Sequence, residues 1–228
     1  MNHKPTSLAN LKAVLFDLDG TLLDTAQDLA QALNKLLQQE GRPTLAYEQI
    51  RQVVSNGGNA MVSLGFSTSP GTAEHQALYQ RLLDIYAQQL TAQTAPFPGI
   101  TALLATLGQF GLPWGVVTNK PSLYSVPIMA QMNLEPPCSA LVCADQVAER
   151  KPHPESMLLA CQQLGCPPEQ ALYVGDHQRD IEAGRNAGMI TVAALYGYIE
   201  ANDDPQSWDA DYYINHPDEL TELLHNYL

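Results

Sequence analysis

Charged residues are scarce in this 228-residue sequence, and basic residues are the scarcest of them. Only 15% of the residues are charged, and 11 Lys and Arg against 24 Asp and Glu give a formal net charge of −13. A negative field repels nucleic-acid phosphates and acidic lipid surfaces, so we expect neither as a partner. The apolar fraction of 45% is sufficient for a folded core, which excludes wholesale disorder.

Long apolar runs, paired cysteines and internal repeats are missing as well. The apolar run near the N-terminus spans only residues 13–16, too short for a signal-peptide core or a membrane span. The four cysteines form no Cys-x-x-Cys pair, and no histidine cluster completes a zinc site, so we expect free thiols in a reducing compartment. We therefore expect a cytoplasmic protein with no membrane partner, present as a monomer or a homodimer.

The sequence does contain short apolar runs bounded by turn residues, rich in Val, Ile, Leu and Ala without strict alternation. That pattern is typical of strands that are buried on both faces of a sheet. From residue 114 onward each run is followed by a helix-like segment, which predicts right-handed crossovers. The predicted fold class is therefore α/β, with a doubly wound, Rossmann-like parallel sheet. The runs lie at residues 13–17, 114–118, 140–143, 171–175, 190–194 and 212–214.

Residues 24–96 break this alternation and show the helical spacing of apolar residues instead. The stiff sequence Pro96-Phe97-Pro98-Gly99 follows, and the strand pattern then resumes. We predict an α/β core domain of residues 1–23 and 97–228, interrupted by an inserted α-helical cap domain of residues 24–96. The predicted cap helices lie at residues 28–39, 47–54, 59–64 and 73–93.

Several residues in and near the predicted cap admit two interpretations. Asn56-Gly57-Gly58 fits either a mobile backbone that approaches a ligand closely or an ordinary turn between helices. Tyr86, Tyr124 and Arg179 fit substrate contacts, or equally well packing and surface roles. The sequence does not decide between these interpretations.

Acidic side chains follow two of the predicted strands. Asp17 and Asp19 come after the first strand, and because side chains alternate along a strand they project to the same side. Two carboxylates about 4 Å apart repel by about 4 kcal/mol near a protein surface, so a cation or a shared proton must offset them. Asp176 ends a later strand, and Asp180 lies one helical turn further on. Taken singly, an Asp-x-Asp-Gly sequence also fits a turn, and the second pair also fits a helix cap beside a solvated acid.

A hydroxyl and an ammonium complete the predicted sheet edge. Thr118 ends another strand, and Lys151 precedes the helix that leads to the strand ending at Asp176. Both groups are suited to binding phosphate oxygens, although a lone lysine is more often a surface residue. The oxygen ligands of the four carboxylates suit Mg²⁺, which binds one or two carboxylates together with a substrate phosphate. The residues thus predict a magnesium and phosphate site.

Four short motifs occur in order at these strand ends: Phe16-Asp17-Leu18-Asp19-Gly20-Thr21-Leu22, Thr118-Asn119, Lys151-Pro152, and Gly175-Asp176 through Asp180. In this set the sequence resembles the haloacid dehalogenase superfamily, and within it the phosphoglycolate phosphatase group, over essentially the whole chain. The inserted helical segment is similar to the small α-helical cap of that family. The stretches that resemble bacterial N-acetylmuramic acid 6-phosphate phosphatases in particular are residues 54–61, 115–121, 176–188 and 196–199.

The resemblance implies a Mg²⁺-dependent phosphomonoesterase that works through an aspartyl-phosphate intermediate. On the family pattern, Asp17 attacks the phosphorus. Asp19 protonates the departing alcohol and then activates the water that hydrolyses the intermediate. The implied ligands of Mg²⁺ are Asp17, the backbone carbonyl of Asp19, and Asp176.

The resemblance also implies phosphate-binding residues and a substrate class. Thr118, the backbone of Asn119 and Lys151 would bind the phosphoryl oxygens, and Asp180 would orient a metal-bound water or Lys151. The implied partner is a small phosphorylated metabolite, either 2-phosphoglycolate or a sugar phosphate such as N-acetylmuramic acid 6-phosphate. Hinges at residues 21–24 and 97–99 would let the cap close over it and exclude water.

Two other functions are compatible with the same motifs. A sugar phosphomutase of this superfamily keeps both acids of the first motif and a similar cap, and a non-catalytic phosphate-binding regulator could keep the same residues. Asp19 argues against a dehalogenase, which needs no acid at that position. His177 stands where the group often has Ser, Asp or Asn, and we interpret it as a bystander or as a residue that hydrogen-bonds a metal-bound water, rather than as a catalytic residue. Beside several acids, its imidazole is expected to hold its proton.

Overall fold

A six-stranded parallel sheet forms the centre of the structure, a computed structural model that describes residues 8–227. In chain order the strands are β1 (Ala13–Phe16), β2 (Leu23–Asp24), β3 (Ala95–Pro96), β4 (Trp114–Val117), β5 (Ala140–Val142), β6 (Ala171–Gly175), β7 (Ile190–Ala194) and β8 (Tyr212–Ile214). The order across the large sheet is β5-β4-β1-β6-β7-β8, and every neighbouring pair is parallel. This confirms the α/β class and the Rossmann-like sheet predicted from the apolar runs.

Helices cover both faces of this sheet. In chain order, the helices of the structure, including those of the inserted segment, are α1 (Ala26–Gln39), α2 (Tyr47–Arg51), α3 (Gly57–Phe66), α4 (Ala73–Ala87), α5 (Ile100–Gln109), α6 (Ser122–Met132), α7 (Glu155–Leu164), α8 (Gln178–Ala187) and α9 (Pro217–Tyr227). Helices α5 and α9 pack in the apolar cluster on one face, and α7 and α8 pack on the other. The sheet is therefore shielded from solvent on both sides, as parallel sheets usually are.

Strand β1 shows how the apolar runs produce this burial. Val14 and Phe16 belong to the larger apolar cluster, whereas Leu15 belongs to the cluster on the opposite face. All three side chains are fully buried, and Phe16 meets Trp114 edge to face, with ring centroids 6.2 Å apart. Burying each large apolar side chain stabilises the fold by about 1.5–3 kcal/mol. The carboxyl end of β1, where the chemistry-bearing residues follow, is thus held firmly.

Strands β2 and β3 pair antiparallel, at the two points where the helical segment leaves and rejoins the sheet domain. Leu23 lies opposite Pro96, and Asp24 lies opposite Ala95. Helices α1 to α4 lie between these two strands in the sequence. The division into a core of residues 1–23 and 97–228 and a cap of residues 24–96 stays a prediction, and residues 1–7 and Leu228 lie outside the described residues.

Two helix ends in the inserted segment differ from the prediction. The helix predicted at residues 47–54 ends at Arg51 and is followed by a short 3₁₀ turn, Val54–Asn56. The chain leaves the helix there because Val54 is buried and the Ser55 carbonyl accepts a hydrogen bond from the core. Helix α3 begins directly afterwards at Gly57, where a φ of +77° favours glycine. The Asn-Gly-Gly sequence is therefore the junction at which the 3₁₀ turn passes into α3.

The helix predicted at residues 73–93 ends at Ala87. The backbone amides of Gln93 and Thr94 donate to the buried Asp28 carboxylate, at 2.9 and 2.8 Å, instead of to carbonyls one turn back. A tertiary contact therefore overrides the helical periodicity of this segment.

The structure also describes the cysteines and the longer helices. The four cysteines are free thiols, two of them buried. Within residues 8–227, no helix combines the length and the apolar composition that crossing a bilayer requires.

Candidate active site

The chain turns sharply after β1, and this turn carries Asp17 and Asp19. The Asp17 amide donates to the Val174 carbonyl of β6 at 2.9 Å, which continues the sheet by one residue. Gly20 follows with a φ of +89°, and a Cβ at this position would overlap Asp176 Oδ2. Glycine is required here for both the backbone conformation and the close approach of the second acidic strand end.

Lys151 lies buried beside this turn and binds two of the acids. Its Nζ donates to Asp17 Oδ1 at 2.8 Å and to Asp180 Oδ1 at 2.7 Å, and lies 2.9 Å from the Tyr173 hydroxyl and 3.1 Å from the Val117 carbonyl. Burial by itself lowers the pKa of Lys151, but the two carboxylates raise that pKa by more, so the ammonium stays charged. The alternative interpretation of a solvated surface lysine is wrong, since only 5% of the residue is exposed.

Thr118 and Asn119 follow β4 at the same edge. The Asn119 side chain pairs with the backbone of Lys151: Nδ2 donates to its carbonyl and Oδ1 accepts from its amide, both at 3.1 Å. This reciprocal pair fixes the start of the lysine-bearing loop, a role that the sequence analysis did not predict for the Asn119 side chain. Thr118 is buried, and its Oγ1 accepts from the Lys120 amide at 3.1 Å, which leaves the hydroxyl proton for another acceptor.

Asp176 directly follows β6, and Asp180 lies in the first turn of α8. Asp176 Oδ1 accepts a hydrogen bond from Thr21 Oγ1 at 3.0 Å, and Oδ2 accepts one from the Tyr198 amide at 2.8 Å. Burial, together with the carboxylates of Asp17 and Asp180, raises the pKa of Asp176 to about 8. Two hydrogen bonds therefore do not offset the cost of holding this charge among other acids.

Asp17, Asp176 and Asp180 each present one carboxylate oxygen, and the three oxygens lie within 4.8 Å of one another. Burial raises the pKa of Asp17 to about 6, against the opposing effect of Lys151, and the Asp180 carboxylate contributes to the rise. An all-carboxylate donor set of this kind fits a hard divalent cation such as Mg²⁺. The structure includes Asp180 in the cluster, which the sequence analysis had placed further from the metal, and the backbone carbonyl of Asp19 stays a predicted ligand.

The side chain of Asp19 is held by a separate set of donors. Its Oδ1 accepts hydrogen bonds from Thr25 Oγ1 at 2.5 Å and from Lys120 Nζ at 2.7 Å. Lys120 in turn lies over the ring of Tyr86, with Nζ 4.8 Å from the centroid. The sequence analysis assigned no role to Lys120, although its place directly after the Thr-Asn pair was an available signal.

Tyr173 is a second residue that the sequence analysis missed. It lies inside β6, fully buried, and its hydroxyl donates to the Val117 carbonyl at 2.9 Å while contacting Lys151. Burial raises the pKa of Tyr173 well above its ordinary value, and the nearby Asp180 carboxylate adds to the rise. A tyrosine within an apolar run is typical of a core, so nothing in the sequence indicates this contact.

His177 caps the first turn of α8. Its Nδ1 accepts from the Arg179 amide at 3.2 Å, and its Nε2 lies 2.8 Å from Arg179 Nη2. Burial lowers the pKa of His177, and the Arg179 guanidinium lowers it further. The expectation that this imidazole holds its proton is wrong, because a cation rather than an acid is its direct side-chain neighbour.

A cavity of about 370 Å³ separates the sheet edge from α3 and α4. Hydrogen bonds between the sheet edge and the helical segment hold these two parts together at the rim of the cavity. Arg179 Nη1 donates to the Ser55 carbonyl at 2.7 Å and Nη2 to Asn56 Oδ1 at 3.0 Å, and Arg51 Nη2 donates to the Gly197 carbonyl at 2.8 Å. The Arg179 guanidinium is therefore bonded to the helical segment, although it also lines the cavity.

The two walls of the cavity differ in chemistry. The helical wall is largely uncharged and includes Met61, Tyr79, Leu82, Leu83 and Tyr86. The sheet wall carries every residue that the sequence analysis selected for catalysis, metal binding or phosphate binding: Asp17, Asp19, Thr118, Asn119, Lys151, Asp176 and Asp180. The structure thus brings residues from four separate motifs to one enclosed site.

Comparison with known proteins adds an independent finding. Residues 14–194 match the sequence profile of a family described as haloacid dehalogenase-like hydrolase. The N-acetylmuramic acid 6-phosphate phosphatase of Pseudomonas aeruginosa is 45% identical, covering 94% of this chain and 95% of its own. The phosphoglycolate phosphatase of Xanthomonas campestris pv. campestris is 43% identical, with coverages of 92% and 95%. The crystal structure of a predicted phosphoglycolate phosphatase from Haemophilus somnus superposes with a TM-score of 0.83 at 25% identity, with coverages of 94% and 98%.

Proposed function

The chain belongs to the haloacid dehalogenase-like hydrolases, and on this premise we propose that it is a Mg²⁺-dependent phosphomonoesterase. The family predicted from the four motifs is therefore correct. The proposed substrate is a small phosphorylated metabolite. The observation that carries the proposal is the buried Lys151, bound to Asp17 and Asp180 beside Asp176 at the wall of a cavity.

Asp17 is the nucleophile in this proposal. Its carboxylate attacks the phosphorus, an O–P bond forms, and the bond between phosphorus and the ester oxygen breaks, which leaves an aspartyl-phosphate. The pKa of about 6 that burial gives Asp17 supports this role, because the carboxylate is still largely ionised at neutral pH.

Asp19 is the general acid and base. It donates a proton to the departing ester oxygen, and then takes a proton from the water that attacks the phosphorus of the aspartyl-phosphate. Inorganic phosphate leaves, and the Asp17 carboxylate is restored. The two donors on Asp19 Oδ1, Thr25 and Lys120, support this role by fixing the carboxyl group at the wall of the cavity that Asp17 also lines.

Asp17, Asp176 and the backbone carbonyl of Asp19 are the proposed ligands of Mg²⁺. When bound, the ion supplies positive charge that stabilises the charge developing on the phosphoryl oxygens. The remaining phosphoryl oxygens are bound by the Thr118 hydroxyl and by Lys151.

The amide of Asn119 is the third proposed phosphate donor, and Asp180 orients Lys151. The 2.7 Å bond from Lys151 Nζ to Asp180 Oδ1 and the paired Asn119 contacts support this arrangement, because they fix both ends of the lysine residue. Residues 24–96 act as the cap in this proposal, closing the cavity over the phosphoenzyme and excluding bulk water.

The cavity has the size of a site for a small metabolite. Pockets for ligands of drug size measure about 300–1,000 Å³, and this one, about 370 Å³, lies near the lower end of that range. The proposed substrate is 2-phosphoglycolate or N-acetylmuramic acid 6-phosphate, the substrates in the names of the two relatives.

We place the reaction in the cytoplasm, and we propose a monomer or a homodimer. The four free thiols support a reducing compartment, where disulfides do not persist.

A phosphate-release assay tests the proposed function. Purified protein with Mg²⁺ is given p-nitrophenyl phosphate, 2-phosphoglycolate and N-acetylmuramic acid 6-phosphate, and free phosphate is measured. We expect release from at least one ester, and loss of that release when the metal is chelated. An isomeric phosphorylated product would identify a sugar phosphomutase instead, and binding without turnover would identify a non-catalytic phosphate-binding regulator.

A further inference from the structure

Lys120 and Tyr86 meet at the cavity wall, one from the sheet edge and the other from the helical segment. Tyr86 is only 1% exposed, and within residues 8–227 its hydroxyl has no partner at standard hydrogen-bond geometry. Burial raises the pKa of Tyr86, and the Lys120 ammonium, which interacts with the hydroxyl oxygen, opposes that rise. Because buried hydroxyls are nearly always hydrogen-bonded, the proton of this hydroxyl is available to an acceptor bound in the cavity. The charged Nζ of Lys120 lies over the ring that carries this hydroxyl.

The Lys120 ammonium also has unused capacity. It has three protons; one is donated to Asp19 Oδ1, and the Tyr86 hydroxyl is its second side-chain neighbour, which leaves a proton for a ligand. Burial lowers the pKa of Lys120, but Asp19 and Tyr86 together raise it by more, so the ammonium stays charged.

Two arginines also line the cavity, Arg150 and Arg179. The Arg179 guanidinium donates to the Ser55 carbonyl and to Asn56 Oδ1, which hold it at the rim, whereas Arg150 is an exposed residue. An anionic group of a substrate, repelled by the three clustered acids at the metal site, is attracted by the cations of this wall, of which Lys120 is the one bonded to Asp19.

We propose that Lys120 and the Tyr86 hydroxyl together bind a carboxylate carried by the leaving alcohol, and so select acidic phosphate esters. The proposal rests on the proposed function, because Asp19 must lie within hydrogen-bond reach of the ester oxygen in order to protonate it. Lys120 Nζ is 2.7 Å from Asp19 Oδ1, so a carboxylate bound by Lys120 lies close to the scissile bond.

Both substrates in the names of the relatives carry a carboxylate on the leaving alcohol. In 2-phosphoglycolate the carboxylate is one carbon from the ester oxygen, which fits a site bonded to Asp19. In N-acetylmuramic acid 6-phosphate it belongs to the lactyl ether across the sugar ring, further from the ester oxygen. The shared group is the carboxylate, and the two sources differ in how far it lies from phosphorus.

Matched pairs of esters test the proposal. One pair is 2-phosphoglycolate and ethyl phosphate; the other is N-acetylmuramic acid 6-phosphate and N-acetylglucosamine 6-phosphate, which lacks the lactyl group. We expect wild-type kcat/KM to favour the acidic member of at least one pair. Lys120→Met should lower that preference about 10- to 100-fold, the range for a hydrogen bond to a charged group. Lys120→Arg should keep most of the preference, and Tyr86→Phe should lower it about 3- to 10-fold.

The ratio within a pair separates ligand binding from the support that Lys120 gives Asp19. Loss of support slows both members equally, whereas loss of the carboxylate site slows only the acidic one. Lys35→Met, the same change at an exposed position of α1, is the matched control and should leave the ratio as in the wild type. Calorimetric binding of 2-phosphoglycolate and ethyl phosphate to Asp17→Asn, with and without Tyr86→Phe, gives a second readout that requires no turnover.

The outcomes distinguish this proposal from the proposed function. If the wild type hydrolyses none of the four esters with Mg²⁺, the proposed function fails. If it hydrolyses them without preferring either acidic member, or if Lys120→Met and Tyr86→Phe leave both ratios unchanged, the carboxylate site is wrong while the phosphatase stands. A ratio that collapses in one pair supports the site and identifies the source of the carboxylate.

Discussion

The sheet edge and the helical segment face the same cavity but are constructed differently. At the sheet edge the charged groups are buried and paired, Lys151 with Asp17 and Asp180, and Lys120 with Asp19. The helical wall consists largely of apolar and aromatic side chains. The first region is defined by the placement of its charges, and the second by shape.

This difference divides the work of the enzyme between two regions. A phosphoryl group of fixed geometry requires fixed charges, and each of these is held by several partners. A substrate's organic part requires only a complementary surface, which many side-chain combinations can provide. We therefore expect substitutions of the catalytic acids at the sheet edge to abolish turnover. Substitutions in the helical wall, and of Lys120 where the two regions meet, should instead change which ester is preferred.

The largest effect is expected at Asp17. Asp17→Asn removes the nucleophile, and kcat should fall by about 10⁴-fold or more, as it does when a covalent nucleophile is lost. Phosphate release at saturating substrate measures this. Asp84→Asn, the same change at an exposed position of α4, should stay within about twofold of the wild type, as surface changes usually have little effect. An equal loss of kcat in Asp17→Asn and Asp84→Asn would contradict the distinction between the sheet edge and the helical segment.

Asp19→Asn should have the next largest effect. Loss of a positioned general acid and base lowers kcat by about 10²–10⁴-fold. Steady-state kinetics with p-nitrophenyl phosphate and with an alkyl phosphate measures the loss, which should be smaller for p-nitrophenol because it departs without a proton. Unchanged turnover of the alkyl ester would exclude Asp19 from proton transfer.

The dependence of stability on pH and Mg²⁺ tests the clustered acids. The folded pKa values of Asp17 and Asp176, about 6 and about 8, exceed the ordinary aspartate value. Their contribution to the stability of the metal-free protein is thus complete below about pH 4 and is lost as the pH rises through 6 to 8. Mg²⁺ binds the ionised form, so it should stabilise the fold more at pH 8 than at pH 5.

Thermal unfolding with Mg²⁺ or with a chelator measures this. At a hundred times its Kd, Mg²⁺ should stabilise the protein by about 2.7 kcal/mol, or roughly 5–10 °C in Tm, at pH 8. Asp176→Asn should remove most of that shift, whereas Asp84→Asn should keep it. The same shift at pH 5 and pH 8 in the wild type would contradict the raised pKa values.

The smallest effect is expected in the helical wall. Leu83→Ala enlarges the cavity and should change the ratio of kcat/KM between N-acetylmuramic acid 6-phosphate and 2-phosphoglycolate by about tenfold, the range for lost apolar contacts in a pocket. The affinity for Mg²⁺, measured by calorimetry, should stay the same. A change in metal affinity would show that the two regions are not independent.

The residues at the sheet edge were predictable from the sequence because the parallel topology determines where the strands end. Parallel strands place their carboxyl ends at one edge, so Asp17, Thr118 and Asp176 had to meet once their apolar runs were identified as strands. The carboxylates in turn required a cation, which made Lys151 recognisable. The fold class followed from the same runs.

What the sequence could not predict depends on contacts between distant segments. The hydroxyl of Tyr173 reaches Lys151 from inside an apolar strand, and the pKa of His177 falls because burial and Arg179 outweigh the neighbouring acids. The end of α4 is determined by Asp28, whose carboxylate accepts hydrogen bonds from the backbone amides of Gln93 and Thr94. Such effects require three-dimensional neighbours that periodicity and motif spacing do not contain.

Trapping the phosphoenzyme tests the central claim most directly. Asp19→Asn protein is mixed with Mg²⁺ and the preferred ester, quenched in acid and digested, and its peptides are weighed by mass spectrometry. A phosphoryl group on the peptide that contains Asp17, absent when Asp17→Asn is added to the same variant, is the expected result. Turnover with no phosphorylated peptide, or a phosphoryl group on another residue, would contradict the assignment of Asp17 as the nucleophile at this sheet edge.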